Sequence, residues 1–331
     1  MMETINTQRR RLTSALLSAG IAAPLSLRAQ PRIDALRIIH GYPAGGSIDV
    51  VCRKLAEKLT GRYADHVIVE NKPGAAGRLA IEELKRARAD GSAMLVAPAS
   101  AFTLYPHVYR QLSYDVFTDL APVSTVASTG FALAVGPKVP PEVNSFEAFK
   151  QWCRADPAAA QCGNPGAGSL PHFMATLMAR EAGVTLGYIP YRGGSAAMQA
   201  TAAGEVAAAL STEASARPLL QAGKLRVLAT TWPERSPFFP QVPTFRELGL
   251  PALARREWFG ALMPARTSTT TVQTAVEALH AALREGDLRD VLERSYLGID
   301  SSTPAQLQAA IRREYDFWAP IVRASGFTPE G

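Results

Sequence analysis

Charge is scarce in this 331-residue chain: 19% of residues are Asp, Glu, Lys or Arg, against 47% hydrophobic. Such a balance excludes a disordered chain and a long coiled coil, and it supplies enough apolar material for a real core. Cysteine is scarcer, with Cys52, Cys153 and Cys162 alone. Their spacing fits no zinc-ligand pattern, so no metal and no cofactor is expected. An odd count also argues against a disulfide framework. Cys153 and Cys162 flank a turn at Asp156-Pro157, and an oxidising compartment would permit a bridge between them. Cys52 falls on a predicted helix as a small buried apolar residue. No run of Lys and Arg with interleaved aromatics is present, which excludes nucleic acid as a partner. Beyond the N-terminus no stretch approaches the ~20 apolar residues of a membrane span. The phosphate-loop pattern fails because Gly45-Gly46-Ser47 lacks the lysine before its hydroxyl, and the dinucleotide pattern fails at Gly41 to Gly46. The Gly-x-Ser-x-Gly elbow of a serine hydrolase is missing as well.

The N-terminus carries half of the formal charge of +6. Arg9-Arg10-Arg11 reads as the basic start of an export signal, and Leu12 to Leu27 as its apolar segment. Leu27-Arg28-Ala29 then places a small residue before a cleavage at Gln30. The adjacent arginines allow a twin-arginine route as well as the general one. The mature chain is expected in the periplasm.

A strand–turn–helix layout occurs twice. Leu36 to His40 reads as a buried strand, followed by a Gly/Ser turn and a helix striped by Ile48, Val51, Leu55 and Leu59. Val67 to Val69, the turn Pro73 to Gly77, a helix with Ile81 and Leu84, and a strand at Ala93 to Ala97 complete the first half. In the second, a strand ends near Cys162 and Gly163 to Ser169 opens a helix with Phe173, Leu177 and Met178. Tyr188 to Tyr191 is the next strand, and Arg192-Gly193-Gly194-Ser195 opens another helix. Val206 to Leu210 and Leu225 to Thr230 follow as strands. Alternating strands and amphipathic helices predict two α/β lobes, each with a mostly parallel sheet. Ligands of such sheets sit beyond the carboxyl ends of the strands, so two facing lobes share one cleft. From Trp258 onward the chain reads as mainly helical, with helices over Val272 to Leu283 and Pro304 to Trp318.

The glycine-rich turns are the candidate chemistry. The first N–H groups of a helix lack internal partners and carry partial positive charge, so a helix start accepts an anion without Lys or Arg. Ala44, Gly45, Gly46 and Ser47 in one half, with Tyr42 beside them, and Gly166, Ala167, Gly168 and Ser169 in the other, fit this role. Asp49, in the first turn of its helix, is expected to hold the turn through backbone N–H groups. Ser169 and His172 are three residues apart and raise the alternative of a hydrolase. A serine nucleophile needs a base and an orienting acid, and no acid can be assigned. His172 is otherwise a supporting residue of the turn.

At these turns the sequence resembles the Bug-type receptors of the tripartite tricarboxylate transporter family. Tyr42-Pro43-Ala44-Gly45-Gly46-Ser47-Ile48-Asp49 is similar to the family's Pro-x-Gly-Gly-Ser-x-Asp loop, and Val69 to Gly77 to its Val-Glu-Asn-[Arg/Lys]-Pro-Gly-Ala-Gly-Gly segment. Ser113-Tyr114-Asp115, Gly166-Ala167-Gly168-Ser169 with His172, Pro190-Tyr191-Arg192-Gly193, Ala222 to Arg226 and Val242-Pro243-Thr244 match in order. The resemblance implies a type II periplasmic binding protein. Residues 30–127 and 233–331 would form one lobe, and 128–232 the other. It also implies a non-enzymatic, monomeric receptor holding a small carboxylate for permease subunits, with a sensor role as the alternative. Ser100 in the Pro98-Ala99-Ser100-Ala101 loop, and Ser211 with Thr212, would face the rest of the ligand. Ser211 stands where many members carry Asp, which implies a ligand whose far end is anionic or neutral. Asn164-Pro165 replaces the usual Ser-Ala, and Arg78 follows Gly77 where members carry a small or amide residue.

Overall fold

A computed structural model describes residues 33–327. The expected export signal and its cleavage after Ala29 lie outside these residues. The chain builds two sheets. The first has the order β11-β4-β10-β3-β1-β2, from β1 (Ile33–His40), β2 (Ala64–Asn71), β3 (Ala93–Pro98), β4 (Leu120–Thr129), β10 (Glu257–Pro264) and β11 (Gly298–Ile299). The second has the order β7-β6-β8-β5-β9, from β5 (Phe131–Val135), β6 (Gln161–Asn164), β7 (Gly187–Pro190), β8 (Ala208–Thr212) and β9 (Arg226–Thr230).

The sheets are mixed, which corrects the expectation of mostly parallel pairing. β1 pairs in parallel with β2 and β3, whereas β10 runs antiparallel to both β3 and β4. In the second sheet β6 is parallel to β7 and β8, and β5 is antiparallel to β8 and β9. Each sheet thus has a parallel trio joined by helical crossovers, closed on one side by a strand arriving from the other sheet. The βα units were readable because their crossovers are local. The antiparallel strands come from distant parts of the chain.

β10 is the clearest departure from the expected layout. Its eight residues, Glu-Trp-Phe-Gly-Ala-Leu-Met-Pro, are all buried. A strand buried on both faces loses its alternation and cannot be told from a buried helix by periodicity. The helices expected beyond it form as α9 (Thr269–Leu283) and α11 (Pro304–Ala324), with α10 (Gly286–Arg294) between them.

Alternation divides the core. On β3, Ala93, Leu95 and Ala97 join one apolar cluster while Met94 and Val96 join another. On β5, Phe131, Leu133 and Val135 share the first cluster with β3, and Ala132 and Ala134 enter a small third one. The first cluster therefore reaches from one sheet to the other. It takes in Leu307, Ile311 and Trp318 of α11 and Phe173 and Leu177 of α6 (Leu170–Ala182). The second cluster lies between the first sheet, α1 (Ser47–Leu59), α9 and α10. The remaining helices are α2 (Arg78–Arg86), α3 (Ala99–Thr103), α4 (Tyr105–Val108), α5 (Phe146–Ala155), α7 (Gly194–Ala202) and α8 (Glu213–Gln221).

The chain passes between the sheets at Gly130, linking β4 to β5, and again after β9. The two passages touch: a Cβ on Gly130 would lie 2.2 Å from Trp232 Nε1, so no side chain fits there. All three cysteines are buried free thiols, so the permitted Cys153–Cys162 bridge is not made.

Candidate functional site

A cavity of about 730 Å³ opens where the helix starts of the two sheets face each other. From the first sheet it is lined by Tyr42, Gly46, Ser47, Ile48, Pro98, Ser100, Tyr105, Thr129, Glu257 and Phe259. From the second come Phe131, Ser169, Leu170, Gly193, Ser195 and Thr212. The volume suits a small molecule, and mainly apolar walls with a few placed polar groups are the usual make-up of such a site. Among the described residues no Lys, Arg or His lines it.

The first polar element is the start of α1. Its N-cap, Gly46, provides no side-chain cap, so the leading N–H groups stay available toward the cavity. Asp49 lies beneath, 2% exposed. Its Oδ2 accepts from the Gly45 N–H at 2.9 Å and from Arg53 Nε at 2.8 Å, and its Oδ1 from Asn71 Nδ2 at 2.9 Å. His40 Nε2 is 3.1 Å from the same Oδ1. Burial alone would push the Asp49 carboxyl up. The hydrogen bonds from Arg53, Gly45, Asn71 and His40 outweigh it and hold the group well below the usual carboxylate range. Asp49 is thus fully occupied in fixing the turn and does not line the cavity. Ala44 and Gly45 are exposed on the outer side of the same turn.

The second sheet offers two helix starts. That of α6 is capped by its own serine: Ser169 Oγ accepts from the His172 N–H and donates to the Gly166 carbonyl at 2.7 Å. His172 Nδ1 accepts from the Gly168 N–H at 3.1 Å. Its ring packs on Phe173, Tyr188 and Phe327, and burial lowers its pKa. The imidazole is therefore a neutral support of the turn. It does not receive the Ser169 proton, so the nucleophile–base contact that a serine hydrolase needs is not formed. Gly166 is half-buried, Ala167 exposed and Gly168 buried against Val108 and Phe327, and none of the three lines the cavity. Asn164 staples the turn from below, its Oδ1 accepting from the Gly166 N–H at 3.1 Å.

The start of α7 is open. Gly193, its N-cap, has φ of 96° and no side-chain cap, and both Gly193 and Ser195 face the cavity. Sequence reading placed this turn at a helix start and left it out of the site. The signal that could have found it is the second glycine-rich turn of the same half, Arg192-Gly193-Gly194-Ser195.

Ser211, expected in the cleft, is fully buried. It shares the face of β8 opposite Leu210, behind α7, where a Cβ on Gly194 would lie 2.1 Å from its Oγ. Of the expected Ser211-Thr212 pair, Thr212 lines the cavity. Arg78 does not reach the cleft either: its guanidinium stacks 3.9 Å from the Tyr109 ring centre.

The acid that Ser211 leaves out of the family pattern has a counterpart in Glu257. This residue opens β10, is 7% exposed and lines the cavity, and its Oε1 accepts from the Ser100 N–H at 2.9 Å. Burial pushes its carboxyl up to about 7, against the opposing hydrogen bonds from Ser100. Sequence reading missed it because β10 itself was missed, and a Glu before an apolar run looks like a surface residue.

Comparison with known proteins agrees with this geometry. Residues 51–327 match the family model described as tripartite tricarboxylate transporter family receptor. The chain is 30% identical over 312 residues to protein BugT of Bordetella pertussis, covering 94% of this chain and 95% of that protein. A Cupriavidus necator protein encoded in the gbd 5′ region is 32% identical over 295 residues, 87% of this chain and 88% of that one. A structure described as a periplasmic transporter superposes with a TM-score of 0.76 at 29% identity, covering 90% of this chain and 99% of the other. An R. palustris protein solved with adipate gives 0.78 at 25% identity over the same shares. Two mixed sheets, one shared cleft and a family match over most of the chain make this protein a member of the tripartite tricarboxylate transporter receptor family.

Proposed function

We propose that this protein captures a small carboxylate in the cavity between its two sheets and delivers it to the membrane subunits of a tripartite transporter. The observation that carries this reading is the pair of uncapped helix starts, at Gly46-Ser47 and Gly193-Gly194, facing one cavity from opposite sides. Each offers backbone N–H groups and partial positive charge to an anion, and no cationic side chain in the lining competes for it. Ser47 and Ser195 add hydroxyl donors. The turn at Gly166–Ser169 shapes the second wall, and Gly193–Ser195 supplies its free donors.

Binding is coupled to closure. A carboxylate held by both helix starts contacts both sheets, so the ligand favours the arrangement in which they approach. The passages at Gly130 and beyond Thr230 are where such a motion bends the chain. Capture is read as non-catalytic, since the Ser169 hydroxyl is donated to the Gly166 carbonyl and not to His172. Export to the periplasm, with cleavage near Ala29, and a monomeric state complete the reading.

The test is identification of the resident ligand. The protein is expressed with its leader, recovered from the periplasm and analysed by native mass spectrometry. A bound small carboxylic acid supports the reading; a bound molecule without any carboxylate, retained at full occupancy, contradicts it.

A further inference from the structure

We infer that Glu257 selects the ligand's second functional group, and that the ligand is an amino-carboxylate whose ammonium meets this residue rather than a dicarboxylate. The inference rests on the carboxylate reading above and adds to it the chemistry of the other end.

Among the described residues that line the cavity, Glu257 is the one ionisable carboxyl, and none is Lys, Arg or His. It is more than nine-tenths buried. Its hydrogen-bond partners are the backbone N–H and the hydroxyl of Ser100, and no cationic side chain pairs with it among the described residues. Burying an acid without a cation costs several kcal/mol, and a glutamine of the same shape would avoid that cost. A retained, uncompensated acid in a binding cavity points to a cation that arrives with the ligand.

The charged group nearest to Glu257 has the same sign. The groups facing Glu257 are the hydroxyls of Tyr42, Tyr105 and Ser100, the Ser100 backbone N–H, and Glu314 from α11, whose charge adds to the cost of ionising Glu257. Glu314 is itself engaged by Trp258 Nε1 at 2.9 Å and lies near Arg255, Arg256 and Arg313, none of which lines the cavity. The second carboxylate of a dicarboxylate would meet this acidic end, and like charges at short range disfavour it. An ammonium there relieves the repulsion and restores the full charge of Glu257.

Position agrees with this division of labour. α1 follows β1, and Glu257 lies on β10, with β3 between them. Two strand spacings separate the helix start from the acid by roughly 10 Å, which suits the two ends of a short carbon chain.

The experiment is calorimetric titration with matched pairs: succinate against 4-aminobutanoate, glutarate against 5-aminopentanoate, and adipate against 6-aminohexanoate. Butanoate, pentanoate and hexanoate serve as references, and both the unaltered protein and Glu257→Gln are titrated. In the unaltered protein the best amino acid is expected to bind at least about tenfold tighter than the dicarboxylate of its length, and Glu257→Gln erases that preference. Repeating the titration at pH 7 in buffers of different ionisation heat needs no variant. It should show proton release on binding the amino acid, as Glu257 returns to its charged form. A dicarboxylate bound as tightly as its amino counterpart, a preference that survives Glu257→Gln, or proton uptake on binding would overturn the inference while leaving carboxylate capture standing. Failure of every acid in the three series to bind would instead remove the carboxylate reading, and the inference with it.

Discussion

Asp49 shows how much of the site is work done one residue away from the ligand. It joins the Gly45 N–H, Arg53, Asn71 and His40, so the turn in front of α1 is held before any ligand arrives. The group is nearly fully buried, and removing one partner of such a set leaves the others uncompensated. Asp49→Ala is expected to lower the unfolding free energy by roughly 3 kcal/mol, read in a urea titration. Because its native pKa is depressed, its contribution is present above the ordinary Asp range and fades as pH falls through its folded value. A variant as stable as the parent at pH 7 would show that the turn is held by something else.

The elements that position the site are local units closed by distant strands, and this decided what the sequence revealed. The turns before α1, α6 and α7 are rich in Gly, Ser and Pro, residues with distinct backbone roles, and they were readable directly. β10 and β5 carry no such mark. They are short apolar runs whose partners are more than a hundred residues away or across the second sheet, and with β10 went Glu257, the acid of the cavity. Ser211 was assigned to the cleft by position in a family pattern, but strand alternation turns Thr212 inward and Ser211 under α7. Between the elements, Gly130 is where one strand leaves its sheet against Trp232. A methyl group there overlaps the indole, so Gly130→Ala is expected to cost about 1–3 kcal/mol by overpacking, seen as a lower midpoint in chemical denaturation. An unchanged midpoint would mean that the two passages are not in contact.

Across the whole molecule, two buried carboxyls set a pH response. Burial pushes Glu257 and Glu213 up to about 7, and Glu213 accepts from the Ser236 hydroxyl at 2.8 Å. Each binds its proton more tightly in the folded than in the unfolded chain. The stability each gives is therefore complete below the unfolded value near 4.5 and is lost as pH rises through its folded value. The buried histidines, His40, His107 and His172, act oppositely, because burial lowers their pKa. The carboxyl effect is isolated by difference. Glu213→Gln and Glu257→Gln should each gain melting temperature relative to the parent, by a few degrees, between pH 5 and pH 8. A parallel pH profile for parent and variant would show that neither acid is protonated on folding.

The central claim is that a carboxylate is held by backbone N–H groups at two open helix starts. Gly46 has φ of −75°, and a Cβ there meets nothing closer than the Pro43 carbonyl at 3.5 Å, so a side chain is tolerated by the fold and points the test at the cavity. The measurement is a thermal shift of the parent and Gly46→Leu with a panel of short carboxylic acids and, beside each, its primary amide. At least one acid should raise the melting temperature of the parent while its amide does not. Gly46→Leu should keep the ligand-free melting temperature and lose the shift. A shift given equally by the amide, or one that persists undiminished in Gly46→Leu, would contradict the account.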